Sequence, residues 1–407
     1  MLKNREQRLQ LGQFFTKDRE VNFMLDLIQN SGPVLEPSCG DGAFLQKLPH
    51  STVGVEMDAT VAPKKAIVMD FFDFSAENKF ATIIGNPPYV ANDKILDSTR
   101  EKVSQLRTWS GKTNLFVLFI EKSLDHLDTN GELIFIVPSV FLKATSCQEL
   151  NKKMSSLGTI TDLVLYGDTT PFGSDAAPEH ETCIFRFEKG NFTRKTKMHL
   201  FDKEQNKIIK QSVKNYYVDS RGISWFLKSG IDVSKLMRIG DYFAVKVGAV
   251  TGLDNFFVDP TRGNKDFVFS KTRSTGKTRR MIDEASPTSW LEANREKLID
   301  RKIKKQWTEK DWWKWGRPQS NQSGKRIYVN NKTRTTNPFF FHECENYDGS
   351  VLAIFPKDDT MDIEKVVGVF NNIDWEMFSV KVGGRYIFKQ RVLENCFLTE
   401  EQFENCF

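Results

Sequence analysis

Short apolar runs alternate with amphipathic stretches over residues 1–190 of the chain. Seven apolar runs have the composition of buried strands, namely 34–35, 52–55, 66–69, 81–84, 133–137, 160–165 and 183–187. Between them, four stretches repeat apolar residues at helical spacing: 20–28, 43–48, 114–127 and 148–156. Strands separated by helices need crossover connections, so the pattern predicts an α/β fold with a mixed, mostly parallel sheet covered on both faces.

The pattern changes after this region. The last two apolar runs lie close together, which favours an antiparallel strand at the sheet edge, and the Lys-rich residues 192–218 suit a connecting segment. From residue 238 onward, short strands, Gly-containing turns and basic clusters dominate without repeated crossovers. We therefore expect two domains, 1–230 and 231–407, the second a smaller α+β domain.

Composition excludes several classes of protein. No apolar run reaches the ~18–20 residues of a membrane span, and the charged N-terminus is unlike a secretory signal. The six cysteines form no CxxC pair and have no His at ligand spacing, so we expect no metal site and a cytoplasmic location.

The charge is unevenly distributed. Residues 260–335 contain 20 Lys and Arg against 8 Asp and Glu, whereas the rest of the chain has 38 basic and 45 acidic residues. Clustered cations are typical of a nucleic-acid interface, and a solvated charged surface is the alternative interpretation.

A candidate ligand loop follows the first predicted strand. Residues 35–42 read Leu-Glu-Pro-Ser-Cys-Gly-Asp-Gly, and in open α/β sheets such a loop, at the carboxyl end of a strand, binds ligands. The first glycine of the dinucleotide-binding pattern is absent, and the acid Glu36 stands at the end of the strand, where a negative group favours a cationic ligand over a pyrophosphate. An ordinary strand-to-helix turn is the alternative.

Two further acids end the next two predicted strands. Glu56, followed by Met57, lies about twenty residues after Glu36, where a carboxylate can accept hydrogen bonds from both hydroxyls of a ribose. Asp70 could accept an adenine amino proton, and Phe71 could stack on the adenine ring. Three acids at three successive strand ends indicate one nucleoside-like ligand.

The fourth predicted strand ends in Asn86-Pro87-Pro88-Tyr89. An exocyclic adenine nitrogen is a poor nucleophile because its lone pair is delocalised into the ring. The Asn86 side-chain carbonyl and the Pro87 backbone carbonyl can accept hydrogen bonds from the two N–H groups of this nitrogen and so localise its lone pair. The prolines restrict the backbone, and Tyr89 can stack on the planar base.

These motifs resemble those of gamma-class DNA adenine-N6 methyltransferases, the type II restriction-modification family, in which the catalytic motif follows the cofactor motifs. The resemblance implies a Rossmann-like methyltransferase fold and S-adenosylmethionine as cofactor. It also implies a base extruded from duplex DNA. By this resemblance the cofactor-binding residues are Thr16, Glu36, Ser38, Gly40, Glu56, Met57, Asp70, Phe71 and Asn86, and the catalytic residues are Asn86, Pro87, Pro88 and Tyr89.

The resemblance assigns further roles. Thr16 ends the segment Gly-Gln-Phe-Phe-Thr, which would close over the methionine end of the cofactor, although Lys17 replaces the usual proline. Tyr89 and Phe172 would face the target base. Thr113-Asn114-Leu115-Phe116 resembles the helix motif that follows the catalytic motif in this family.

The C-terminal half resembles target-recognition domains in two segments, residues 245–252 and 383–386. Between them lies a tract that interleaves cations with tryptophans, and we expect most of the tryptophans to be core. The predicted DNA-binding residues are Lys302, Lys304, Lys305 and Arg385.

The sequence thus predicts a site-specific DNA adenine methyltransferase, with duplex DNA as partner and a cognate restriction endonuclease as functional counterpart. Three alternatives stay open: an RNA adenine methyltransferase, a protein glutamine N-methyltransferase and a non-catalytic DNA-binding module. The protein-glutamine enzymes carry their extra domain before the catalytic one, and the order here is the reverse.

Overall fold

In a computed structural model of the 407-residue chain, the described residues are 16–106, 108–110, 112–166, 182–202, 207–301, 307–375, 378, 381–382 and 385–407. The chain divides into two compact units, Met1–Ile231 and Asp232–Phe407. The predicted domain border lies one residue from this division, and what each unit does stays a prediction at this point.

The first unit contains one ten-stranded sheet. Its strands are β1 (Val34–Glu36), β2 (Val53–Glu56), β3 (Ile67–Val68), β4 (Phe80–Gly85), β5 (Leu127–Pro138), β6 (Gly158–Leu165), β7 (Thr182–Lys189), β8 (Lys195–Asp202), β9 (Lys207–Val218) and β10 (Ser224–Leu227). Its described α-helices are α1 (Asp18–Asp26), α2 (Asp97–Val103), α3 (Leu115–His126) and α4 (Gln148–Leu157).

The strand order positions a ligand site. The sheet runs β3-β2-β1-β4-β5-β7-β6-β8-β9-β10, and the pairs from β3 to β5 are all parallel. Their carboxyl ends therefore lie along one edge. The chain leaves β1 toward β2 and β3 and returns to β4 on the other side of β1, and this reversal leaves a crevice where α/β proteins bind ligands.

Both faces of the sheet are buried. Leu35, Ile83 and Leu133 contribute to one apolar core, whereas their neighbours Ile84 and Ile134 contribute to a second, which also includes Val21 and Met24 of α1. Successive strand residues point to opposite faces, so burial of both faces requires the continuous apolar runs in the sequence. The predicted Rossmann-like fold with a mixed, mostly parallel sheet is confirmed.

Three local predictions were wrong. Residues 43–48 form successive turns, with bonds such as Gln46 N–H to Gly42 O, and Pro49 disfavours helical backbone at Leu48. Strand β7 is antiparallel but lies between β5 and β6 rather than at the edge. Residues 192–218 are not a connector, since most of them form β8 and β9.

The error at β8 has a simple cause. Lys195 and Lys197 are exposed and alternate with the buried Thr196 and Met198, the period-two pattern of a strand with one solvated face. The high lysine content concealed that alternation.

The second unit has four small sheets. Its strands are β11 (Met237–Arg238), β12 (Phe243–Val247), β13 (Lys265–Phe267), β14 (Arg279–Met281), β15 (Ile327–Asn330), β16 (Lys332–Thr333), β17 (Phe339–Phe340), β18 (Val351–Pro356), β19 (Lys381–Val382), β20 (Arg385–Ile387) and β21 (Phe397–Leu398). Its described α-helices are α5 (Ile239–Tyr242), α6 (Asp254–Phe257), α7 (Thr272–Thr275), α8 (Ser289–Glu292), α9 (Arg295–Ile299), α10 (Ile363–Asn372), α11 (Gln390–Asn395) and α12 (Glu400–Glu404).

The strands of this unit pair antiparallel, and the largest sheet has the order β12-β18-β15-β17. Short helices connect them, which matches the predicted α+β class. Across the described residues of both units, none of the helices has the length and apolarity to traverse a bilayer.

Candidate cofactor and base site

One cleft lies at the carboxyl ends of β1, β2 and β4, beside the loop after β3. About 1140 Å³ of space in and in front of the cleft is not filled by protein atoms, open solvent included. The predicted residues that line it are Thr16, Glu36, Ser38, Gly40, Glu56, Met57, Asp70, Phe71, Asn86 and Pro88. The structure therefore brings together residues spread over more than seventy positions of the sequence.

Glu36 ends β1 with its side chain buried at the cleft. Its Oε2 atom has no hydrogen-bond partner among the described residues. Burial raises the pKa of Glu36 well above its usual value, and the backbone N–H of Leu45 opposes that shift only in part. A buried carboxylate with an unsatisfied oxygen is costly, so the geometry favours a ligand that brings a cation or a hydrogen-bond donor.

Glu56 ends β2 and is also buried. Its Oε2 accepts the Gly40 N–H at 2.8 Å, and its Oε1 accepts the Asp58 N–H at 2.9 Å. Burial raises the pKa of Glu56, and these two bonds oppose the shift. Gly40 adopts a φ of +52° and has open space where a Cβ would point, so a glycine lets the loop turn tightly and leaves room at the cleft.

Asp70 follows β3 and is held firmly by protein groups. Its Oδ1 accepts the Phe72 N–H at 3.0 Å, and its Oδ2 accepts the Thr99 hydroxyl at 2.8 Å and the Lys102 ammonium at 3.1 Å. Both partners of Oδ2 belong to α2. Phe71, only 2% exposed, lines the cleft while its ring lies 5.2 Å from that of Phe119.

Asn86 follows β4 with its side chain oriented. The Asn86 Nδ2 donates to Thr16 Oγ1 at 3.2 Å. The Asn86 backbone carbonyl accepts the Ser38 hydroxyl at 3.1 Å. These bonds connect the loop after β1, the residue before α1 and the end of β4.

Pro87 and Tyr89 do not line this cleft in the described part of the chain. Pro87 is buried, and the Tyr89 hydroxyl donates to the Ile136 carbonyl of β5 at 2.8 Å. The Tyr89 ring also meets the Phe116 ring edge to face at 6.0 Å. Burial raises the pKa of Tyr89 well above its usual value, so Tyr89 stays neutral.

The sequence analysis missed one wall of the cleft. Lys94, Ile95, Leu96 and Thr99 line it from the segment that leads into α2, and Leu115 and Phe119 of α3 line it as well. No motif marks the four residues that lead into α2, since their pattern is that of any amphipathic surface segment, whereas Leu115 belongs to the Thr113–Phe116 motif of the sequence. Only the pairing of Asp70 with Thr99 and Lys102 reveals their place.

Several predicted contacts lie outside the described residues, namely Phe172, Lys302, Lys304 and Lys305. Arg385 is described and lies half-buried in β20. The roles assigned to these residues stay predictions.

Arg301, which precedes the predicted DNA-binding residues Lys302, Lys304 and Lys305, is not a surface cation. Its guanidinium is buried, donates to the carbonyls of Leu298, Thr251 and Trp312, and lies 3.9 Å from the centre of the Trp307 ring. Burial lowers the pKa of Arg301 to about 10.

The tryptophans beside Arg301 belong to an apolar core. Trp312 and Trp315 are buried, and Trp307 and Trp313 pack partly buried against the same cluster. The core interpretation of the tryptophans is confirmed, and Arg301 is a structural residue of that core.

The strand order and the acidic cleft define a Rossmann-like methyltransferase domain. Residues 38–172 match the family of Eco57I restriction-modification methylases. The chain is 26% identical over 231 residues to the type II methyltransferase M.HincII of Haemophilus influenzae, and the aligned segment covers 54% of this chain and 44% of that protein. It is 34% identical over 200 residues to the type II methyltransferase M.TthHB8I of Thermus thermophilus, and that segment covers 44% of this chain and 45% of that protein. Over these segments the first unit is therefore similar to methylases of restriction-modification systems.

The chain spans less than half the length of these curated relatives. Its fold is similar to that of the type IIL restriction-modification enzyme MmeI, solved in complex with DNA, with a TM-score of 0.60 and 11% identity. The likeness covers 93% of this chain and 64% of that chain, and at this identity it shows the fold alone.

Proposed function

We propose that this protein transfers a methyl group from S-adenosylmethionine to N6 of an adenine extruded from duplex DNA. The observation that carries the proposal is one shared cleft. Glu36 ends β1, Glu56 ends β2 and Asn86 follows β4, and all three residues line that cleft. Two acids suited to a cationic nucleoside therefore lie beside an amide suited to an amino nitrogen.

The cleft fits this cofactor, because the unsatisfied Glu36 oxygen can receive a cationic or amino donor. Thr16, Glu36 and Ser38 would hold the methionine part. Glu56 beside Met57 would hold the ribose, and Asp70 and Phe71 the adenine. When bound, S-adenosylmethionine supplies an electrophilic methyl group.

The residues after β4 prepare the acceptor nitrogen. The Asn86 side-chain carbonyl and the Pro87 backbone carbonyl would accept the two N–H bonds of the adenine amino group and hold its lone pair toward the donor. Tyr89, oriented by its bond to Ile136, would stack on the extruded base, with Phe172 proposed on the opposite face. Extrusion costs a few kcal/mol, which contacts elsewhere on the DNA must offset.

Duplex DNA is favoured over RNA or protein glutamine because a basic unit follows the catalytic one. The relatives are named type II methyltransferases, and the matched family is one of restriction-modification methylases, so we propose a restriction endonuclease as functional counterpart.

The test is methylation of three substrates by the purified chain with isotopically labelled S-adenosylmethionine: bacterial genomic DNA, total RNA and a glutamine-containing peptide. We expect label only in DNA, recovered as N6-methyladenine, and long-read sequencing would map its sites. Label confined to RNA or peptide, or no label in any substrate, would contradict the proposal.

A further inference from the structure

The basic charge of the second unit is only partly available to a ligand. Several cations within residues 260–335 are neutralised in ion pairs: Arg262 with Asp259, Lys265 with Asp283, Arg279 with Asp254 and Asp348, Arg280 with Asp266, and Arg295 with Glu292 and Glu309. Arg301 is buried. The surface that attracts a polyanion must therefore be sought among the remaining cations.

Five of these cations, together with Arg385, form what we call the cation patch: Lys271, Arg273, Lys277, Lys332, Arg334 and Arg385. All but the half-buried Arg385 are exposed. None forms an ion pair with a carboxylate among the described residues. The stretches that carry them, residues 267–282, 312–342 and 377–393, contain no Asp or Glu.

Specific bonds connect the three stretches. Arg273 Nε donates to the Asn337 carbonyl at 3.2 Å, and Asn330 Nδ2 donates to the Ser270 carbonyl at 2.7 Å. These two bonds hold the α7 segment against the end of β15 and the loop after β16.

Strand pairing adds the third stretch. Strand β16 pairs antiparallel with β20, with Lys332 opposite Ile387. Residues 385 and 387 point to the same side of β20, so Arg385 and Lys332 share one face of this small sheet.

Exposed hydroxyl side chains accompany these cations. Thr335 and Thr336 are exposed on the loop after β16, whereas the Ser274 and Thr275 hydroxyls of the α7 segment donate to the Lys271 carbonyl. Gly276 adopts a φ of +66° with open space beside it, so a tight turn exposes the α7 segment. Lysine, arginine and small hydroxyl side chains are the groups that proteins use on DNA phosphates.

We propose that the cation patch is the surface of the second unit that binds the phosphate backbone of duplex DNA, an inference that rests on the proposed function. Like charges gathered without carboxylates repel one another, and a polyanion relieves that repulsion while its condensed counterions are released. The patch differs from the predicted tract at 302–305 and includes only Arg385 of the predicted contacts.

The first test neutralises the α7 segment with K271Q/R273Q/K277Q. A matched control, K235Q/K310Q/K325Q, removes the same charge from other places in the same unit. Binding to a duplex oligonucleotide that contains the mapped methylation site is measured across a salt series by fluorescence anisotropy. Each lost phosphate contact lowers the slope of log K against log salt by about 0.9, so we expect a slope shallower by about 2.7 and affinity about 10- to 100-fold weaker near physiological salt.

The second variant, K332Q/R334Q/R385Q, should reproduce the loss from different segments. Thermal unfolding checks that both variants fold. Lysine acetylation of the unaltered protein needs no variant, and bound DNA should protect Lys271, Lys277 and Lys332 but not Lys310.

Binding by both patch variants equal to that of the control, or an equal loss in all three, would overturn the patch. If the patch variants lost affinity for single-stranded RNA but not for duplex DNA, that result would overturn the patch as well. If the unaltered protein methylates no DNA, the proposed function fails, whereas DNA methylation with unprotected patch lysines defeats this inference alone.

Discussion

Two walls of the cleft hold their carboxylates in different ways. The first wall, Glu36 and Glu56 at the ends of β1 and β2, has carboxylates bonded to backbone N–H groups of nearby loops. The second wall, Asp70 after β3, is held by the side chains of Thr99 and Lys102 from α2. Within the first wall Glu36 leaves acceptor capacity for a ligand, because its Oε2 has no partner among the described residues, whereas both oxygens of Asp70 already accept protein donors.

This difference separates binding from positioning. A buried carboxylate that lacks partners gains most from a ligand, because the ligand removes a desolvation cost. A carboxylate with three partners gains little charge compensation but can hold one edge of a ring in a fixed place. We infer that the first wall supplies affinity and the second supplies geometry.

The largest expected effect concerns Asn86, which belongs to neither wall and is proposed to act on the acceptor nitrogen. Asn86→Ala should lower methyl transfer at least 100- to 1000-fold, about the cost of removing one preorganised polar group from a transition state. Cofactor affinity should change little, because both walls remain. Radiolabel transfer and isothermal titration calorimetry measure the two quantities, with Asn78→Ala as a control at an exposed asparagine. Retained transfer would show that Asn86 does not activate the acceptor.

The second effect tests the first wall directly. Glu36→Gln should weaken cofactor binding about 10- to 100-fold, since a charge-assisted bond becomes a neutral one. The same change should not lower the melting temperature of the ligand-free protein at neutral pH, because it removes a buried charge. Calorimetry and thermal unfolding check both. A variant with unaltered affinity would mean that Glu36 contacts no cationic or donor group.

A third effect is the release of protons when the cofactor binds. Because the folded pKa of Glu36 is raised by burial, its contribution to stability is present at low pH and is lost as pH rises through that pKa. A cationic ligand favours the ionised form, so cofactor binding should release protons and tighten as pH rises through the raised pKa. Calorimetry in buffers of different ionisation enthalpy measures the release, and Glu36→Gln should reduce it. Equal release in the variant would assign the protons to another group, such as Glu56.

The smallest effect tests the second wall. Lys102→Gln should raise the KM for the cofactor a few-fold at low salt and less at high salt, because exposed ion pairs are screened. Lys102→Arg should restore it by renewing the contact with Asp70. Steady-state kinetics at two ionic strengths suffice, with Lys152→Gln as the matched surface lysine. An effect on kcat alone would place Lys102 nearer the chemistry than the geometry indicates.

The same contrast explains what the sequence could predict. Glu36, Glu56 and Asn86 follow strands buried on both faces, and such strands leave a continuous apolar run that locates their ends. Thr99 and Lys102 meet Asp70 across about thirty residues of chain, and no local pattern encodes such a contact. The cation patch escaped prediction for the same reason, since charge density along the sequence does not distinguish paired cations from unpaired ones.

The position of β7 governs how the sheet can be completed during synthesis. β5 and β6 do not pair with each other in the finished sheet, because β7 fills the space between them. Until residues 182–189 leave the ribosome, two long apolar strands each present an open edge, and such edges invite pairing with other chains. The segment that matches the methylase family ends at residue 172, ten residues before β7 begins. A fragment cut at that border would carry every strand that borders the cleft but would leave β5 unpaired on one edge and β6 unpaired on both, because it lacks β7 and β8. We therefore expect it to aggregate rather than fold.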